Sequence, residues 1–176
     1  MKKEILKNTI VKEDRNFDPF SHEHLFYEYT LDISDHEIDQ ILLLFKYQSV
    51  DSIEQLTTYK SLDVLNLPLL KNIKQQINNI LHEHNLLLDN NWAQLYNKDS
   101  FHGIHNHYGS IYSGIIYLKG SNPSPTIFHS RFLENFYSHT FKKNNLLLFP
   151  SMVPHEVRQL KKDEERLVIS FNTKRV

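Results

Sequence analysis

A chain of 176 residues with 21 acidic and 20 basic side chains, a net charge of −1 and no cysteine excludes several classes at once. It has neither a basic stripe nor a long like-charge run to offer duplex nucleic acid, and without thiols it forms neither disulfides nor thiolate metal sites. The longest apolar runs, ILLLF and LLLF, are too short to span a bilayer, and no signal-like stretch opens the chain. These features, with 40% apolar residues, suit a cytoplasmic protein with no membrane partner, folded as one domain over residues 1–176.

Residues 23–32, EHLFYEYTLD, predict an early strand, and His22 and His24 at its start read as polar side chains facing solvent. SDHEIDQILLLFKY opens with Ser34 and Glu37 at capping-box spacing and puts Ile38, Ile41, Leu42 and Phe45 on one helical face. DSIEQLTTY reads as a short helix starting at Asp51 or Ser52. LPLLKNIKQQINNILHEH carries Leu70, Ile73, Ile77, Ile80 and Leu81 on one stripe, with Pro68 near its start. His82 and His84 end that helix. Side chains two apart diverge there, so the pair is a poor chelate and suits the negative end of the helix dipole.

Near residue 90 the texture changes. NWAQLY, IYSGIIYL, TIFHSRF, NLLLFP and RLVISFN are short, rich in aromatic and β-branched residues, and bounded by turn formers. With no helical segment between them, they predict an α+β protein. They favour an antiparallel sandwich or jelly roll: residues 91–176 are expected to form a double-stranded β-helix (a cupin-like jelly roll), with helices of residues 1–90 packed on one sheet as support.

Three of the four glycines and three of the eleven histidines lie between Ser100 and Leu118. His105 and His107 stand in extended sequence there, where both imidazoles can face one point. Far along the chain, LLLFPSMVPHEVRQL supplies His155 after a strand and a proline-bracketed turn, and Arg166 opens the last strand. Two close ligands, a distal third and then an arginine suit a facial metal site with a bidentate fork for a carboxylate. If Val168 and Ser170 share the face of Arg166, its guanidinium points into the same interior and needs an anion there.

In this order the residues resemble the Fe(II)/2-oxoglutarate-dependent oxygenases, close to the prolyl-hydroxylase-like branch. Within it they are most similar to small oxygenases, common in phage and marine bacterial genomes, that carry an H-x-H motif. The resemblance covers roughly Trp92 to Asn172. WAQLYNKDSFHGIHNHY resembles the stretch in which a tyrosine precedes the ligand pair, which implies Tyr96 as that tyrosine and His105 as the first ligand. SGIIYLKG resembles the strand that reaches the cosubstrate carboxylate, which implies Ser113 and Tyr117. By the same resemblance His155 is the third ligand, and Arg166 pairs with the distal carboxylate of 2-oxoglutarate.

The usual Asp or Glu of the ligand pair is replaced by His107. Three neutral imidazoles leave the site one negative charge poorer, which strengthens Zn²⁺ as a competitor of Fe(II) and leaves Asp99 or His129 as further groups that could reach the metal. His129 is otherwise expected to line the barrel, with substrate contact by His129 and Arg131 as the alternative. The resemblance implies Fe(II) and 2-oxoglutarate, with ascorbate as a possible accessory. It implies hydroxylation of a C–H bond in a small molecule or peptide, with release of succinate and CO₂ and no catalytic group beyond the metal site. Two other readings stay open. One is a three-histidine cupin-type dioxygenase that does not use 2-oxoglutarate and needs no Arg166; the other is a non-catalytic jelly-roll binding protein. A homodimer is compatible with the sequence.

Overall fold

Two antiparallel sheets face one another, and two helices cover the back of the larger one. The structure, a computed structural model, describes residues 3–5, 26–46, 56–120, 126–129, 136–160 and 165–176. The strands are β1 (Lys3–Ile5), β2 (Tyr27–Thr30), β3 (Leu56–Thr57), β4 (Leu86–Tyr96), β5 (His102–His105), β6 (Tyr112–Lys119), β7 (Thr126–His129), β8 (Phe136–His139), β9 (Asn145–Pro150), β10 (His155–Val157) and β11 (Arg166–Arg175). The helices are α1 (Asp35–Leu43) and α2 (Lys71–Glu83). The large sheet has the order β1-β2-β9-β6-β11-β4-β3 and the small sheet β5-β10-β7-β8. This is the expected double-stranded β-helix with helices packed on one sheet.

Strand alternation divides the large sheet into two faces. Ala93, Leu95, Ile116, Leu118, Leu167, Ile169 and Phe171 point back and form one core with Ile38, Ile41, Ile73, Ile77 and Ile80 of the helices. Tyr96, Ile115, Tyr117 and Val168 point forward and form a second core with Phe128, Phe149 and Val157. The helices form where the sequence marks them. Ser34 Oγ accepts from the Glu37 backbone N at 3.3 Å, and the Glu37 carboxylate accepts from the Ser34 N at 2.9 Å, which closes the capping box. A 3₁₀ turn at Pro68–Leu70 leads into α2. His84, just past the end of α2, lies with Nε2 2.6 Å from the Tyr29 hydroxyl and ties the helix to β2.

Two expectations for the first half change. Leu56 and Thr57 form a strand against Leu95 and Gln94, not part of a helix. The open edge of β4 captures them, and Thr58 continues the contact by donating to and accepting from Ala93. Residues 51–55 lie outside the described residues, as do His22 and His24. The large sheet also begins before residue 90, because β4 starts at Leu86 and β2 joins the edge of β9.

Gly114 is required by packing rather than by the site. It sits opposite Phe171 across the β6–β11 ladder, and a Cβ built there would lie 2.1 Å from the Phe171 ring. On the other side of the molecule the sheets are clasped. His139 Nε2 of β8 lies 2.6 Å from Glu28 Oε1 of β2, and Lys142 Nζ reaches Glu28 Oε2 at 3.0 Å. Hydrogen bonding from His139, opposed by burial and helped by Lys142, lowers the Glu28 carboxyl from 4.5 to about 2.

Two outcomes follow. Gly114→Ala should cost ~1–3 kcal/mol by overpacking, read as a lower urea midpoint, and Phe171→Leu should relieve part of that loss in a double-mutant cycle. Glu28 binds fewer protons folded than unfolded, so its contribution is complete above pH 4.5 and is lost as pH falls toward 2. The stability gap between native protein and Glu28→Gln should therefore shrink by about 3 kcal/mol across that window in denaturant titrations.

Candidate active site

The three histidines meet at one end of the space between the sheets. His105 is the last residue of β5 and pairs directly with His155, the first residue of β10. His107 stands in the turn beyond β5, and its backbone N donates to Ser151 O at 2.9 Å, which pins that turn to the one after β9. A nitrogen from each ring lies within 4.8 Å of the others. Ring centroids are 4.2 Å apart for His105 and His155, and 5.1 Å for His107 with either.

The backbone fixes how two of the rings point. His105 Nδ1 donates to Gly103 O at 2.8 Å, and His155 Nδ1 donates to Val153 O at 2.9 Å. A carbonyl only accepts, so both rings carry the proton on Nδ1 and keep the Nε2 lone pair for a metal. Burial pushes the His155 pKa well below its ordinary value and lowers that of His105. Burial, with His105 beside it, lowers His107 to about 4. All three imidazoles are therefore neutral near pH 7, the form that ligates.

Arg166 lies at the other end of the same cavity, which is also lined by Gln94, Tyr96, Thr126 and Ser170. It is 1% exposed. Its Nη2 donates to Thr126 Oγ1 at 2.7 Å, and the Tyr117 hydroxyl lies 2.8 Å from the same oxygen. The guanidinium carbon stands 5.2 Å from the Tyr96 ring centre and 5.6 Å from that of Tyr117. Its Nε and Nη1 have no partner among the described residues, and none of the cavity-lining residues is acidic. Burial raises the pKa of both tyrosines and keeps their hydroxyls protonated.

The sequence-predicted residues divide accordingly. His105, His107 and His155 come together, and so do Arg166, Tyr96 and Tyr117. Ser113 shares the inward face of β6 with Tyr117 but stands four residues away, roughly 13 Å along a strand. It lies 2.8 Å from Ser151 Oγ and donates to Asn172 Oδ1 at 2.8 Å, toward the histidine end. The hydroxyl on Arg166 is that of Thr126 instead. His129 does not line the barrel. Thr126 and Phe128 occupy the inward positions of β7, so His129 faces the other side, with Nε2 3.3 Å from Glu156 Oε1. Asp99 lies apart from the three histidines and accepts from Gln159 Nε2 at 3.2 Å. Arg131 lies outside the described residues.

One residue at the site carries no sequence-based assignment. The His102 ring stacks on His105 with centroids 3.9 Å apart and 17° between planes. Strand alternation would send residues three apart to opposite faces. The β5–β10 ladder, however, sets His102–His105 against Val157–His155, four residues on one strand matched to three on the other. That bulge turns both histidines inward.

The same fold occurs in solved oxygenases. An oxidoreductase of the 2OG-Fe(II) oxygenase family from Burkholderia pseudomallei matches with a TM-score of 0.62 at 16% identity, over 85% of this chain and 84% of its own. HygX from Streptomyces hygroscopicus, solved with nickel, 2-oxoglutarate and hygromycin B bound, matches with a TM-score of 0.65 at 12% identity, over 86% and 83%. A prolyl hydroxylase from Trichoplax adhaerens, in complex with a peptide fragment of the hypoxia inducible factor oxygen degradation domain, matches with a TM-score of 0.62 at 14% identity, over 84% and 82%. No family model and no curated protein matches the sequence. The chain thus has the double-stranded β-helix fold of the 2OG-Fe(II) oxygenases. No helix among the described residues is long and apolar enough to cross a membrane.

The buried histidines set a pH dependence. Burial, with His105 and His107 beside it, lowers His102 from 6.5 to about 4. The unfolded chain takes up that proton first, so the contribution is complete above pH 6.5 and is lost as pH falls toward 4. Urea titrations in EDTA should show this loss, and His102→Gln should flatten it.

Proposed function

We propose that the protein is an Fe(II)- and 2-oxoglutarate-dependent oxygenase that hydroxylates a C–H bond with release of succinate and CO₂. The observation that carries this reading is Arg166. A buried guanidinium with two unpaired nitrogens, in a cavity without a carboxylate, is costly unless an anion enters. The three-histidine rival has no use for such a group.

His105, His107 and His155 would hold the metal, and their neutral nitrogen donors fit Fe(II) as well as Zn²⁺. Arg166 would receive the far carboxylate of 2-oxoglutarate through the N–H groups that Thr126 leaves unengaged. Thr126 and Tyr117 leave one hydroxyl hydrogen beyond the contact between them, and it can donate to the same carboxylate. Tyr96 and Tyr117 wall the guanidinium and exclude water, which strengthens the ion pair in a site of low dielectric. The metal and cosubstrate, when bound, supply the oxygen chemistry, and the chain supplies orientation and a dry enclosure. The three neutral ligands match the H-x-H pattern of the small phage and marine-bacterial oxygenases that the sequence resembles.

Titration calorimetry with Mn²⁺ and 2-oxoglutarate tests this directly. Arg166→Ala should weaken 2-oxoglutarate by about thirtyfold or more, the usual consequence of removing one partner of a buried charge pair, while Mn²⁺ affinity stays near native. Arg166→Lys should not restore it, because lysine lacks the planar fork. His155→Ala should abolish metal binding. Native 2-oxoglutarate affinity in Arg166→Ala would favour the three-histidine dioxygenase.

A further inference from the structure

Behind the carboxylate pocket stands a buried polar pair that the proposed chemistry does not use. Glu28 and His139 are both nearly inaccessible and come from different sheets, Glu28 from β2 of the large one and His139 from the edge strand β8 of the small one. Glu28 Oε1 lies 2.6 Å from His139 Nε2, and Lys142 Nζ reaches the two carboxylate oxygens at 3.2 and 3.0 Å. The His139 ring lies nearly flat against Tyr117, with centroids 5.2 Å apart and 22° between planes. Phe141 closes the same tyrosine edge-on at 6.1 Å. Tyr117 then meets Thr126, and Thr126 meets Arg166. Contacts therefore run without a gap from the solvent-facing Lys142 to the unpaired edge of Arg166.

Two physical consequences follow. Arg166 is held by one hydrogen bond, from Nη2 to Thr126, so the direction of its free edge depends on where that hydroxyl stands. Thr126 is set by Tyr117, Tyr117 is braced by the His139 ring, and the plane of that ring is set by its bond to Glu28. Glu28 is also an internal carboxylate whose field reaches Tyr117.

We propose that Glu28 and His139 are positioning residues for carboxylate recognition, holding Tyr117 and Thr126 so that the free edge of Arg166 faces the far carboxylate of 2-oxoglutarate. The proposal rests on the oxygenase reading of the site. A pair that only clasps the two sheets would change stability and leave ligand affinity alone, so the two roles separate by measurement.

The probes are Mn²⁺ and 2-oxoglutarate, titrated into the full chain under argon. His139→Phe keeps a ring against Tyr117 and loses the bond to Glu28. It should weaken 2-oxoglutarate by about fivefold or more, within the range seen when a residue acts through its neighbours, with Mn²⁺ affinity within about twofold of native. Glu28→Ala, on a different strand, should do the same, and either variant alone decides if the other fails to fold. Glu28→Gln keeps an oxygen to accept from His139 and should restore most of the affinity. Native 2-oxoglutarate affinity in a folded His139→Phe or Glu28→Ala would overturn the proposal, and so would a Glu28→Gln as weak as Glu28→Ala. Failure of the oxygenase reading looks different, because Arg166→Ala would then also bind 2-oxoglutarate like the native protein.

Discussion

The site depends on one constraint: Arg166 buries a full positive charge where the described cavity offers only hydroxyls, amides, imidazoles and rings. A guanidinium cannot shed its proton to escape that cost. The fold meets one donor with Thr126 and covers the group with Tyr96 and Tyr117, but two nitrogens stay unpaired. The described residues alone leave this region electrostatically incomplete, and an entering carboxylate would complete it. Stability given up at such a place is a common mark of a binding site.

The histidine end shows the complementary design. Its three imidazoles are kept neutral by burial, and two of them are oriented by carbonyls only two residues away. These local bonds fix the tautomer without a second-layer carboxylate, so the assembly carries no negative charge. A divalent ion placed there would retain its full charge for an anionic cosubstrate. Positive charge at both ends of the cavity, arginine at one and such an ion at the other, would suit a ligand with a carboxylate at each end.

The sheets supply precision because the side chains around Arg166 come from different strands. Arg166, Tyr96 and Tyr117 stand on three adjacent strands of the large sheet, and Thr126 faces them from the small one. Two sheets can slide or splay, so the opening between them must be held. The Glu28–His139 contact does this on the side where β2 approaches β8, and it is buried next to a site residue rather than at the rim.

Much of this was legible in the sequence. The helices are marked by the Ser34–Glu37 box and by the isoleucine stripe of α2, because local capping and periodicity decide where a helix lies. The histidine triad and Arg166 were legible as an H-x-H pair with a distal histidine and as a charged residue opening an apolar strand, but β5 ends at His105, and it is the turn pinned to Ser151, not strand alternation, that brings His107 in. What needed the tertiary structure was set by pairing between distant strands. Leu56 and Thr57 became a strand only because β4 had an open edge. His102 turned inward only because β10 imposed a bulge. Thr126 rather than Ser113 reached Arg166 because the register of β7 against β10 chose the inward face, while β6 carried Ser113 away along its length. His129 faced outward for the same reason. Alternation within a strand is written in its own residues, but which face is inward, and what stands opposite, is decided by the neighbouring strand.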